Sequence, residues 1–532
     1  MAASAVAQQD GGSILRELDR PRPLDERLPA PEQRQKREDD RRIARQPVRV
    51  RAIEIAGNTL FSDGVLTELL DPQLDDPLTL ADIQGMVARI RDFYRRNGYL
   101  VRVFLPEQTV DDGALLIRVI EGQPGERTIE ILPAPGSSRI TPDLPREFID
   151  RAFARERFFR IDRLERSERL LNDLPGIEAD VRLSPGDDTG LTDVTVSVAS
   201  TPVFSGRLTT DNAGSDSTGE ARAVVRTGLD SPLGRGDQWS LTGLGSEGTG
   251  YLRLQGAIPV GYNGMRLQLA GSRLDYELVD AFSALGVEGD VSRAEAGLRY
   301  PVLRGASGSL YLDASIARSR YEDRAQAAIQ ERRDIDSFSI AVEADRRDTL
   351  LGGGITYGRL ALRGGRVDFD IGSPERRALT GGGFELARWS LLRVQRRAGM
   401  LGQGASLRIS LDGQFSPSNL PSAENYSLGG VGSVRAFPVS EVSGDDGLTL
   451  SLEWRERLNA LVNLYGFYDH GWVRAPADAE PAEQTTDLAG VGLGGIVRIS
   501  QRVTLDGSIA RRVTGGQDRD AWQGWVSAEA RF

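Results

Sequence analysis

Few residues in this chain could do chemistry. There is one histidine, His470, preceded by Asp469, and there is no cysteine. A His–Asp pair serves acyl transfer when a Ser or Cys nucleophile stands beside it. No nucleophile motif accompanies this one, and in an alternating segment the two neighbours point to opposite faces. Thiol chemistry and cysteine-rich metal sites are excluded outright. No phosphate-cradling loop and no metal-ligand spacing occurs either. The expectation is therefore a protein that is not an enzyme and uses no cofactor and no metal. The arrangement that remains is electrostatic. Arg435 stands in "YSLGGVGSVRAF" (426–437), where Gly429, Gly430 and Gly432 permit backbone shapes and close approaches denied to other residues. Further along, Asp469 stands in "NLYGFYDHGWV" (463–473). A guanidinium and a carboxylate can form a charge-assisted, bidentate contact.

Such a pair needs elements that bring it together. From Thr201 to Phe532 no helical pattern occurs. "LRLQGAIPV", "FSIAVEADRRD", "SLRISLDGQF", "LTLSLEWRERL" and "VTLDGSIARRV" all alternate apolar with polar residues. In the third, Leu407, Ile409 and Leu411 share one face while Arg408, Ser410 and Asp412 share the other. Sixteen candidate strands, at roughly 21 residues per strand and turn, suit a closed antiparallel transmembrane β-barrel. A soluble β-sandwich alternates too, but rarely repeats the pattern this often without a break. The last strand puts Phe532, Ala530, Ala528, Val526 and Trp522 on one parity and Arg531, Glu529, Ser527 and Gln523 on the other. Closing the barrel pairs that edge, which would otherwise be exposed. No run approaches the 18 or so apolar residues of a membrane helix, which leaves the barrel open. A net charge of -11 and a pI of about 5.1 offer no basic footprint, so no nucleic acid is expected as a partner.

Counted back from Phe532, residues 416–446 connect the eleventh strand to the twelfth, with no secondary structure of their own. A connection of that length is usually functional or disordered. The thirteenth strand then turns Val462, Leu464, Tyr468 and Trp472 to lipid, and Asn463, Phe467, Asp469 and Gly471 to the lumen. His470 faces lipid or the interface. An Arg435–Asp469 contact would anchor the loop tip to the inner wall. Its net stabilisation would be modest because desolvation offsets attraction, whereas removing one partner would strand a charge.

The N-terminal third is organised differently. "MAASAVAQQD" ends like a secretory signal but has no charged region and no apolar stretch before it. Residues 1–9 read as a signal remnant or a disordered tail. Residues 10–20 form a short amphipathic helix with Ile14, Leu15 and Leu18 on one side. Residues 21–47, rich in Pro and charge, form a linker. From Val48 to Gly122 the chain reads as a β-α-α-β-β unit. It opens with the strand "VRVRAIEIAGNTLF", and its second helix starts at the N-cap Thr79 and stops at Asn97-Gly98. Residues 126–200 repeat the order, a tandem of two small α+β domains.

Three short motifs, "GN" after the first strand, "YRRNGYL" closing the second helix and "VIEG" ending the last strand, resemble POTRA domains. These are the periplasmic modules that precede polypeptide-moving outer-membrane barrels. The loop and the thirteenth strand resemble paired motifs of that superfamily, a Val-Arg-Gly-aromatic tip and a Phe-x-Asp-x-Gly wall. The resemblance assigns Gly429, Gly430, Ser433, Val434, Arg435, Ala436 and Phe437 to the tip, and Phe467, Asp469 and Gly471 to the wall. Ala436 stands where the family usually has glycine; if positive φ were required there, alanine would be strained and the tip reshaped. Phe532 resembles the terminal signal read by the outer-membrane barrel assembly machinery.

The whole order is similar to the transporters of two-partner secretion, TpsB. That resemblance implies a plug helix at 10–20, POTRA domains at 48–122 and 126–200, and a sixteen-stranded barrel at 201–532. The barrel would lie in outer-membrane lipid of a bacterial cell as a monomer, with the POTRA domains in the periplasm. It implies export, without ATP, of a large adhesin- or haemolysin-type exoprotein with an N-terminal secretion domain. The alternative is an insertase for outer-membrane proteins. A passive porin or receptor is disfavoured by the POTRA-like repeats.

Overall fold

The computed structural model describes residues 10–18, 48–70, 77–108, 113–132, 140–154, 156–401, 403–474, 485–515 and 521–532. The expected tail (1–9) and linker (21–47) lie outside the described residues. The chain forms two compact units, one of Pro29–Thr201 and one of Pro202–Phe532 together with Met1–Leu28.

The larger unit is a closed barrel of sixteen antiparallel strands, whose first (Phe204–Asp211) pairs with its last (Trp522–Arg531). Alternation is its cause. On the eighth strand (Ala328–Asp348) Phe338, Ile340 and Val342 are exposed, while Ser337, Ala341 and Glu343 are buried. The ninth strand (Gly354–Ile371) sets exposed Leu362 and Leu360 opposite Ile340 and Val342. A continuous apolar belt of this kind is a liability in water and a match for hydrocarbon. Closure pairs the first strand with the last, so that no strand presents a whole unpaired edge to lipid. At the seam the ladder runs only from Ser527–Asp211 to Arg531–Arg207, the shortest of the barrel's described ladders. Phe532 extends it by one residue: Gly206 N–H donates to its carbonyl (2.8 Å), and its own N–H donates to Gly206 O (3.0 Å). A side chain at position 206 would collide with the Phe532 ring, 2.2 Å from where its Cβ would stand.

The connection between the eleventh strand (Gly404–Phe415) and the twelfth (Asp446–Arg457) differs from expectation, because it carries secondary structure of its own. A 3-10 turn spans Ser422–Glu424, and Tyr426–Leu428 pairs with Val442–Gly444 in a small ribbon. Strands of three residues are too short to leave a period in the sequence.

In the smaller unit, Ala114–Glu121 is the centre of a three-stranded sheet, flanked by Ala52–Ala56 in parallel and Val101–Phe104 antiparallel. The single strand expected from Val48 is in fact two. Val48–Arg49 pairs with Pro77–Leu78, and only Ala52–Ala56 joins the sheet. The break falls at Val50, whose buried side chain packs with Ile83 and Leu115. The long helix Leu80–Arg96 begins at Thr79, which forms a reciprocal capping box with Asp82, and ends at Asn97. Residues Gln123–Ser200 hold a second three-stranded sheet of Gln123–Leu132, Leu191–Ser200 and Ile177–Pro185, with helices Asp143–Phe153 and Ile161–Asn172.

The "VIEG" and "GN" motifs meet in the first sheet. The Glu121 carboxylate accepts hydrogen bonds from the N–H groups of Thr59 and Leu60 (2.8 Å each), the Thr59 hydroxyl (2.5 Å) and the Tyr94 hydroxyl (2.8 Å). Burial pushes the Glu121 pKa up, but these donors outweigh it and hold it below its ordinary 4.5. The stability it contributes is therefore complete above that ordinary value and is lost as the pH falls through the lowered one. Glu121→Ala leaves these donors unpaired and should cost roughly 1–3 kcal/mol. The measurement is an earlier melting of the helical circular dichroism signal; an unchanged midpoint would mean the carboxylate does not hold the turn.

Candidate functional site

The loop enters the barrel through two residues in the left-handed region, Gly429 (φ 102°) and Gly430 (φ 85°). Three backbone bonds then close the tip: Gly430 N–H to Phe437 O (2.9 Å), Ser433 N–H to Gly430 O (3.1 Å) and Phe437 N–H to Val434 O (3.2 Å). Val434, Ala436 and Phe437 are buried among inward-facing side chains that include Tyr465, Phe467 and Leu488.

Arg435 uses its whole planar fork. Nε and Nη2 donate to the two oxygens of Asp469, each at 2.8 Å, on the thirteenth strand (Val462–Arg474). Nη1 donates to Glu453 Oε2 (2.7 Å) and Nη2 also to Ser451 Oγ (3.2 Å), both on the twelfth strand. The guanidinium carbon lies 3.4 Å from the centre of the Phe467 ring. Asp469 is fully buried, and further accepts the Arg435 backbone N–H (3.2 Å) and the Ser451 hydroxyl (2.7 Å). A buried carboxylate of this kind is tolerated only when its oxygens are satisfied. The arrangement can bind, orient and hold a loop. It contains no group poised to transfer a proton or attack a bond.

The wall glycines make room for the tip. A Cβ at Gly471 would stand 2.6 Å from Leu428 and 2.9 Å from Val434. On the fourteenth strand (Thr485–Arg498), a Cβ at Gly490 would stand 2.4 Å from the Ala436 methyl. The concern over Ala436 is answered here, since the residue does not adopt positive φ and its methyl lies over a glycine.

Besides Ser451, three contacts of the tip carry no motif in the sequence. Glu453 is a second counter-charge to Arg435. Arg512, on the fifteenth strand (Val503–Thr514), donates to Ala436 O (3.2 Å) and lies 4.6 Å from the Phe437 ring centre. Trp525, on the last strand, donates its indole N–H to Arg435 O (2.7 Å). Glu453 and Trp525 both have inward parity, the one signal that could have marked them. His470 takes the outward parity, partly exposed, with Nε2 3.5 Å from Asp487 Oδ1. Phe532 stays at the seam, away from the loop.

The N-terminal helix, Gly11–Leu18, lies at the other side of the loop. Ile14 and Leu15 are buried against Tyr276, Tyr321, Ile335 and Phe384, inward-facing residues of the fifth, seventh, eighth and tenth strands, and Leu18 packs at the margin. Asp10 caps the helix by accepting Ser13 N–H (2.9 Å) and pairs with Arg333 Nη2 (2.7 Å). Burial opposes its charge, but Arg333, the Ser422 hydroxyl and the Ser13 N–H together outweigh burial and lower its pKa. Asp10, Asp323 and Glu331 converge here, and the Arg333 guanidinium supplies the positive charge among them. The helix also holds the loop's root: Arg16 donates to Ser422 O (2.9 Å) and Asn425 O (2.6 Å), and Ser422 Oγ bonds Asp10. Nearby, buried Glu424 pairs with Arg363 (2.8 Å) and Arg388 (3.2 Å) of the wall.

Residues 190–496, more than half of the chain, match the family described as haemolysin secretion/activation protein ShlB/FhaC/HecB. The chain belongs to this family. Residues 48–122 match the ShlB-type POTRA domain. The heme/hemopexin transporter protein HuxB of Haemophilus influenzae is 24% identical, over 99% of this chain and 96% of its own length. The outer membrane transporter CdiB of Escherichia coli is 24% identical over 84% of this chain and 76% of its own. Solved structures of CdiB from Escherichia coli and Acinetobacter baumannii superpose with TM-scores of 0.72 and 0.70, at 22% and 16% identity. The first covers 98% of this chain and 99% of its own, the second 98% and 97%. As a member of the family, this protein is an outer-membrane transporter that exports a large partner protein, with its POTRA-containing region in the periplasm. It moves polypeptide.

Proposed function

We propose that export uses the parts in a fixed division of labour. Two POTRA domains, 48–122 and 126–200, capture an unfolded adhesin- or haemolysin-type exoprotein by its N-terminal secretion domain, either as an added strand at a sheet edge or in a groove. The helix at 10–20 plugs the barrel (201–532) at rest and is displaced. The chain then passes the 426–437 loop and folds outside. No ATP is available in the periplasm, so capture and outside folding supply the direction.

The observation that carries this reading is the contrast between two occupants of the same barrel unit. The loop tip is tied at Asp469, Glu453, Arg512 and Trp525, and so suits a scaffold. The helix has eight residues, too few to be stable alone, and depends on its docking contacts. It suits a removable part. The test is binding of the exoprotein's N-terminal secretion domain to the detergent-solubilised chain. Deleting residues 48–200 should abolish it, and undiminished binding would reject capture by this region. The short seam ladder favours a second reading, insertion of outer-membrane proteins, under which deletion of the transporter would impair assembly of other barrel proteins.

A further inference from the structure

Beyond the last ladder pair at the seam the first strand ends; Val526 keeps one backbone bond, from Asn212 N–H, and above it Trp522–Trp525 have no ladder partner on that side. Two side chains take over. Asn212 imitates a strand: its amide Nδ2 donates to Gly524 O (3.0 Å), its Oδ1 accepts Val526 N–H (2.8 Å), and its own N–H donates to Val526 O (3.3 Å). From the lumen side, Trp525 donates to the carbonyl of Arg435 at the loop tip (2.7 Å). The residue is 7% exposed, so its indole N–H requires a partner, and the loop supplies it.

We propose that Trp525 is a positioning residue that couples the moored loop tip to the closing strand, so that the upper seam stays shut only while Arg435 is seated on Asp469 and Glu453. The tip touches the twelfth to the sixteenth strands in sequence, through Glu453, Asp469, Gly490, Arg512 and Trp525. Unseating Arg435 moves its carbonyl, and Trp525 then loses its acceptor although neither seam strand has been altered. The upper segment of the last strand would be left with Asn212 and the ladder to the fifteenth strand, which runs from Arg511–Trp522 to Val503–Ala530.

Hydrogen exchange of the full chain in lipid nanodiscs tests this, read on peptides covering 521–526 and, as a control, the seventh strand (Gly308–Ala325). Trp525→Phe keeps an aromatic ring and removes the donor. It should accelerate exchange at 521–526 by about fivefold or more, the factor to which the net contribution of one hydrogen bond corresponds. Arg435→Ala should do the same from a distance, with the control peptide unchanged, and the double variant should exchange no faster than Arg435→Ala alone. A purely local role for Trp525 would leave the seam of Arg435→Ala at the wild-type rate, and that result overturns the proposal. Equal acceleration of the control peptide, or additive effects in the double variant, overturns it too. If Trp525→Phe fails to insert, the Arg435→Ala measurement decides alone.

Discussion

Arg435→Ala is expected to leave the barrel inserted and to cut secretion of the partner at least tenfold. The barrel's ladders and its apolar belt do not involve this side chain, so heat-modifiable mobility on gels should persist. What goes is the seat of the loop. Asp469, with no exposure, would lose the guanidinium that satisfies both its oxygens, while Glu453 would keep Arg455. Breaking a buried pair from one side costs roughly 3–5 kcal/mol, well above the pair's own net contribution. Asp469→Asn added to Arg435→Ala should therefore recover part of the stability and none of the export. Arg435→Lys should fall short of wild type, because one ammonium cannot serve both Asp469 oxygens, Glu453 and the Phe467 face together. Export by Arg435→Ala at the wild-type level would reject the mooring role.

Deleting residues 10–20 is expected to raise single-channel conductance in planar bilayers, with long open events replacing brief ones. Burying Ile14 and Leu15 stabilises the docked helix by roughly 1.5–3 kcal/mol each, and the Asp10–Arg333 pair adds a buried ionic contact. Arg333→Ala removes that contact, leaves Asp10 facing Asp323 while Glu331 keeps only Arg376, and should open the channel part of the time. Unchanged conductance after the deletion would mean that the helix does not obstruct the pore.

Legibility in the sequence followed the strength of the local period. The thirteenth strand alternates without interruption, so the inward set Phe467, Asp469 and Gly471 could be read directly and is the set buried in the barrel. The loop could be placed between two such strands, but its three-residue ribbon strands are shorter than any period. Glu453 has the same parity as several inward acids, and nothing in one dimension says which of them meets Arg435. Trp525 offered a subtler sign, an indole on the lumen parity that must bond something. Val50 broke a strand that alternation alone would have continued, because its side chain is drawn into the core beside Leu115. Asp10 lies three residues before Ser13, a capping spacing, yet its pairing with Arg333 crosses most of the chain and left no local trace.

The most direct test of the central claim is secretion itself. A candidate partner exoprotein would be co-expressed with this chain, and its amount in medium and periplasm measured with and without the transporter. The account predicts exoprotein in the medium only when this chain is present. Exoprotein that stays cell-bound with the transporter present, together with failed assembly of other barrel proteins in the deletion strain, would contradict it and make insertion the function.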